Sequence, residues 1–126
     1  MIRKVDQHVV LDTNFLINYL QGRKEEVEFL KRHQGKTFST TAVNIVELYS
    51  WAYRSKDRLK AWRDVEALRQ SLLVLNLSDA AVKKAGSIVA DSDRQGSAIE
   101  LRDLLVKAVA DINGCQIISA LPPERR

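Results

Sequence analysis

The stretch Val-Val-Leu-Asp-Thr-Asn-Phe-Leu-Ile, from Val9 to Ile17, constrains the fold more than any other part of the chain. An apolar run stops at Asp12 and a second apolar segment with helical spacing starts at once, which makes this a strand-to-helix junction. Thr13 or Asn14 can cap the new helix, because their side-chain oxygens accept from backbone N–H groups left unpaired at a helix start. Asp12 then stands at the carboxyl end of a buried strand, where ligands and catalytic groups collect in open α/β sheets. Aspartate is also a preferred helix cap, so this position alone leaves both readings open.

The rest of the chain alternates in the same way. The first strand runs from His8 to Leu11 and its helix from Asn14 to Leu20, with Gly22 placed to end it. Lys24 to Gln34 reads as a half-exposed helix closed by Gly35, and a short strand follows over Thr37 to Ser39. Thr40 or Thr41 caps a helix from Ala42 to Tyr53, and Arg54 to Arg69 continues as a helix with a basic bias. Leu72 to Leu77 is a continuous aliphatic run suited to a strand covered on both faces. Ser78 caps a helix reaching Arg94, a loop spans Gln95 to Ala98, a helix from Leu101 to Asn113 is closed by Gly114, and Gln116 to Ser119 forms a last strand. This order predicts an α/β fold of three layers, α/β/α, around a parallel sheet of four or five strands. Right-handed crossovers place the strand ends on one edge, so Asp12 and the caps after Ser39 and Leu77 share a rim.

At 126 residues the chain is expected to form one domain, residues 1–126, able to bury a core without disulfides or structural metal. No apolar stretch approaches bilayer length, and Asp12 interrupts the early run too soon for a signal-peptide core, so a cytoplasmic location is expected. Cys115 has no internal partner and lies in an apparent strand as a small hydrophobe. His8 and His33 lack neighbours at zinc-ligand spacing. A net charge of +4 and a pI near 9.4 mildly favour a polyanionic partner.

The helix from Ala42 to Tyr53 is apolar nearly all round, which implies burial in a core or at an interface. Only Asn44, Glu47 and Ser50 break the pattern, and their spacing of three puts them on one polar stripe. A buried carboxylate must be paired, metal-bound or protonated, and no Lys or Arg lies within one turn of Glu47. Pairing with a distant arginine, or simple exposure, is the alternative to a functional role. Asp103 lies in the first turn of the last helix, where the macrodipole favours a carboxylate and Lys107 is placed to pair with it. A structural role therefore competes with a functional one there as well.

Together, Val-Val-Leu-Asp-Thr-Asn, Glu47 in Thr-Ala-Val-Asn-Ile-Val-Glu-Leu, and Asp103 in Arg-Asp-Leu-Leu-Val-Lys-Ala-Val-Ala resemble the PIN domain. The resemblance covers essentially the whole chain, and its small size is similar to that of VapC-type toxins, which are ribonucleases. It implies that Asp12, Glu47 and Asp103 hold Mg2+ or Mn2+ and that a water is activated for in-line attack on an RNA phosphodiester, leaving 5′-phosphate and 3′-hydroxyl ends. Thr13 and Asn14 would position waters or the phosphate, with Asn44 and Ser119 supporting the site. Basic residues near Arg54, Lys56, Arg58 and Arg63, with Arg102 and Lys107, are the candidate RNA contacts. A homodimer, for which the apolar outer positions of the early helices are available, and a VapB-type antitoxin that blocks the pocket are implied as partners.

The chain departs from the family after its last strand, where Thr, Asn and a further Asp are usual. Here Ser119, Ala120, Leu121, Pro122, Pro123 and Glu124 follow. Ser119 stands for the Thr, Glu124 falls near the slot of the fourth acid and is a candidate ligand, and the Asn is absent. The alternative is accordingly a catalytically impaired PIN-like module that binds RNA or a partner protein. Receiver-like and dehalogenase-like phosphoryl enzymes also place Asp at strand ends, but the first requires paired acids after strand one and the second an Asp where Asn14 stands.

Overall fold

The computed structural model describes residues 8–123. Among these residues, four strands and six helices follow the order β1 (Val9–Leu11), α1 (Thr13–Leu20), α2 (Lys24–Arg32), β2 (Phe38–Thr41), α3 (Ala42–Arg54), α4 (Arg58–Gln70), β3 (Leu72–Leu75), α5 (Asp79–Arg94), α6 (Leu101–Ile112) and β4 (Gln116–Ile118). All pairings are parallel and the strand order is β3-β2-β1-β4. Helices cover both faces, giving the three-layer α/β/α arrangement expected from the alternation.

The two faces follow from the alternation of side chains along a strand. Val9 and Leu11 pack with Phe15, Leu16, Phe38, Ile45, Leu48, Ala61 and Val65, in a core built from α1, α3 and α4. Val10 points the other way, onto Val106 and Ala110 of α6. The unbroken apolar run of β1 is therefore the mark of an inner strand covered twice. β3 is different. It lies at the sheet edge and Leu73 is 51% exposed, so the expectation of cover on both faces is corrected: an aliphatic run reports apolar character, and the strand's place in the sheet decides its cover.

β2 is buried throughout although it contains Ser39, Thr40 and Thr41. Thr40 Oγ1 donates to the Leu11 carbonyl at 2.8 Å, and Thr41 caps α3, so the two threonine hydroxyls are satisfied where they stand. β2 runs on to Thr41 and passes directly into α3, two residues beyond the strand end at Ser39 expected from sequence. Ser78 caps α5 by accepting from the Ala81 N–H, as expected. Gly22 and Gly114 follow helix ends with φ of +80° and +66°, conformations that an L side chain rarely adopts. Cys115 precedes β4 rather than lying in it and is half-buried.

One buried group had no sequence-level expectation. Glu26 of α2 is fully buried and accepts from Arg23 Nη1 at 2.6 and 2.9 Å, Asn18 Nδ2 at 3.2 Å and the Leu121 N–H at 2.8 Å. A desolvated carboxylate is tolerated only with such a partner set. It ties α1, α2 and the segment after β4 into one unit.

Candidate active site

Asp12 is the residue at which β1 turns into α1. Its N–H donates to the Ile118 carbonyl at 2.8 Å and its carbonyl accepts from the Leu16 N–H at 3.1 Å, so the backbone is fixed by β4 on one side and by the new helix on the other. It occupies the cap position with extended backbone, but its side chain makes no capping bond. The carboxylate instead accepts from Asn44 Nδ2 at 2.9 Å, across the rim. Helix capping is thereby excluded as the use of this side chain.

Asn44 is fully buried and spends its whole hydrogen-bonding capacity. Its Oδ1 accepts from the Thr41 hydroxyl at 2.7 Å and the Thr41 N–H at 3.2 Å, while Thr41 Oγ1 accepts from the Asn44 N–H at 3.2 Å, a reciprocal capping box at the start of α3. Its Nδ2 donates to Asp12 and, at 2.9 Å, to Thr13 Oγ1. The Thr13 hydroxyl then donates to Glu47 Oε1 at 2.5 Å. An unbroken chain of hydrogen bonds thus runs from Asp12 through Asn44 and Thr13 to Glu47, whose side chain is 23% exposed.

Glu47 is paired by a distant residue. Arg102 Nη1, in the first turn of α6, lies 3.4 Å from Glu47 Oε2. The same guanidinium donates through Nε and Nη2 to Glu100 Oε2 at 3.0 and 2.8 Å. The bond from Arg102 holds the Glu100 carboxyl below the usual carboxylate range, and the bond and charge of Glu100, followed by the charge of Glu47, push the guanidinium further toward its charged form. The rim therefore carries a fixed positive charge beside the acids.

Asp103 is exposed one residue further along α6. The expected Asp103–Lys107 pair is not formed, because Lys107 Nζ lies 3.5 Å from Asp111 Oδ2 instead. Asp103 already has the helix N-terminus and Arg102 beside it, whereas Asp111 near the negative end of the helix dipole has the greater need of a cation. Asn14 is exposed and outside the Asp12–Glu47 network, and Ser119 is exposed directly after the strand that receives the Asp12 N–H. Glu124 lies outside the described residues.

The basic candidates divide. Arg102 reaches the acids, but Arg54 bonds to Ser50 at 3.4 Å two helical turns beyond Glu47, roughly 11 Å along the axis. Lys56, Arg58 and Arg63 are exposed on the turn after α3 and on α4. Between those helices lies a groove of about 510 Å³ lined by Val46, Tyr49, Ser50, Tyr53, Trp62 and Glu66. Val46 is 68% and Tyr53 59% exposed, so α3 is not buried all round. Its all-round apolar sequence was the signal for this surface, and the interface alternative is the one the fold leaves open.

The donor set around Asp12 and Glu47 is oxygen-only: two carboxylates with the Thr13 hydroxyl between them. Such donors suit a hard divalent cation that keeps several of its waters. Asp12 is engaged in the network through Oδ1. Among the described residues, no group of three or more His, Cys, Asp or Glu side chains stands close enough to hold a metal ion. The oxygen donors that the hydrogen-bonded network joins are those of Asp12, Thr13 and Glu47.

A parallel α/β/α sandwich with an aspartate after its first strand and a glutamate on the helix after its second defines a class of acidic-site α/β proteins. The PIN domain family model matches residues 9–120, and the chain belongs to that family. Solved structures share the fold at low identity. The DNA-bound VapBC2 complex of Rickettsia felis contains a chain 16% identical, with a TM-score of 0.78 over 86% of this chain and 84% of that one. The DNA-bound VapBC of Salmonella typhimurium gives 21% identity and 0.77 over 88% and 83%, and VapBC-1 of nontypeable Haemophilus influenzae 22% and 0.75 over 88% and 84%. No curated protein matches the chain significantly.

Proposed function

We propose that this chain is a metal-dependent endoribonuclease, the toxin of a VapBC-type toxin–antitoxin pair, acting in the cytoplasm. The observation that carries this reading is the hydrogen-bonded chain from Asp12 through Asn44 and Thr13 to Glu47 at the carboxyl rim of the sheet. In this reading Asp12 and Glu47 hold Mg2+ or Mn2+, and Asp103 joins them from α6. A bound divalent ion supplies an acidified water and neutralises charge accumulating on the phosphate. Asn44 aims the Asp12 carboxylate, Thr13 aims that of Glu47, and Arg102 stands where it can meet a phosphate oxygen.

The partner assignment rests on the same likeness together with the exposed Val46, Tyr53, Leu59 and Trp62. An apolar segment of a VapB-type antitoxin is the occupant proposed for that surface, and a homodimer is proposed for the toxin. Tyr53→Glu is expected to weaken antitoxin binding in a titration while leaving the fold intact. Unchanged affinity would move the antitoxin elsewhere.

The direct test is cleavage of end-labelled, mixed-sequence RNA with Mg2+, Mn2+ or EDTA, beside an Asp12→Asn control. Metal-dependent cleavage lost in the variant is expected. The second reading, a non-catalytic PIN module, is favoured by the pairing of Glu47 with Arg102 and by the altered stretch after β4. It predicts metal-independent RNA binding that survives Asp12→Asn.

A further inference from the structure

We propose that Arg102 is a built-in counter-cation of the acidic site, one that holds Glu47 Oε2 in the metal-free protein, yields it to a divalent ion and then turns to the RNA phosphate. This rests on the metal-binding reading above. The two oxygens of Glu47 are held in different ways. Oε1 is locked by Thr13 into the buried network that includes the fully buried Asn44. Oε2 faces Arg102 across 3.4 Å, from an arginine side chain that is 61% exposed. An exposed ion pair is weak and is readily exchanged, so Oε2 is the atom the site can release at little cost.

Glu100 gives the arrangement its direction. It grips Nε and Nη2, the edge of the guanidinium opposite the one turned to Glu47, and this grip is the shorter of the two. When Nη1 lets go of Glu47, the side chain stays moored at the rim. A guanidinium and a divalent cation repel each other at one carboxylate oxygen, so occupancy by one excludes the other. The displaced Nη1 is left beside the acids with its donors unspent, and a guanidinium edge matches a phosphate oxygen pair. The position therefore compensates the carboxylates before the ion arrives and contributes to substrate binding afterwards.

The test is Mn2+ binding by titration calorimetry, without RNA, on the wild type, Arg102→Gln and Lys83→Gln, each shown to be folded by circular dichroism. Lys83 on α5 carries the same charge but pairs with Asp79, so it reports the general field. Arg102→Gln is expected to bind Mn2+ about three- to tenfold more tightly, a gap that narrows with added salt, and to bind a non-cleavable RNA analogue more weakly when Mn2+ is bound. Lys83→Gln should match the wild type. Equal Mn2+ affinity in all three proteins overturns the counter-cation role but leaves the metal reading standing, and equal tightening in both variants does the same. Absence of Mn2+ binding in every protein overturns both.

Discussion

Asn44 donates to Asp12 Oδ1 at 2.9 Å from a position that is itself fully buried and pinned by Thr41. The carboxylate at the end of β1 is thus aimed by a residue on α3, 32 positions away. The amide serves two helices and a strand end at once, and its loss cannot be repaired by solvent.

Asn44→Ala should therefore cost about 2–4 kcal/mol, because it leaves the Thr41 N–H and the Thr13 hydroxyl without their buried partner. Urea denaturation measures this directly. A loss below about 0.5 kcal/mol would mean that the network is incidental to the fold.

Glu26 should be more sensitive still. Removing a buried, paired carboxylate while its cation remains costs about 3–5 kcal/mol, so Glu26→Ala is expected to unfold at much lower denaturant. In Glu26→Gln the shape is kept and the charge lost. Hydrogen exchange at the Leu121 amide, which donates to Glu26, should accelerate in that variant relative to the β1 amides. Unchanged exchange would show that the segment after β4 is held by other contacts.

Ser39 is buried on β2, and its Oγ finds no hydrogen-bond partner among the described protein groups. Replacing it with Ala removes a desolvated hydroxyl without opening a large cavity. The expected result is a gain of up to about 1 kcal/mol in thermal or chemical unfolding. A clear loss would reveal an ordered water satisfying the hydroxyl.

Tyr49 donates to Glu66, and burial, followed by this bond, raises its phenol above the ordinary value of 10.0. Because the folded pKa is raised, the corresponding stability is present below the unfolded tyrosine pKa. It is lost as pH climbs through the folded value. In a spectrophotometric alkaline titration the wild type should show a late tyrosinate component that Tyr49→Phe lacks, and the variant should lose less stability above pH 10. Identical titrations would place Tyr49 in solvent.

The order of elements was legible in the sequence because it rests on local signals. Continuous apolar runs and helical apolar spacing, Ser78 and Thr41 as caps, and Gly22 and Gly114 at helix ends act through neighbours a few residues apart. Asn44 and Glu47 were legible as candidates because they break an apolar helix, Asp12 because it ends an apolar run, and Thr13 as a cap of the helix that follows. What they touch was decided elsewhere. Thr13 meets Glu47 at a separation of 34 residues, Arg102 reaches Glu47 from another layer, and Glu26 receives the Leu121 amide from 95 residues on. Such contacts depend on strand order and on the angle at which each helix leaves the rim, which no local pattern encodes. So the sequence alone marked Asp12, Asn44 and Glu47 as side chains that could not be left as ordinary core or surface, and it left Glu26 unmarked. Only the tertiary structure decided that Arg102 faces Glu47, that Lys107 turns to Asp111, and that the all-round apolar helix α3 leaves Val46 and Tyr53 exposed. Electrostatic and packing partners are chosen in space, after the layers have closed.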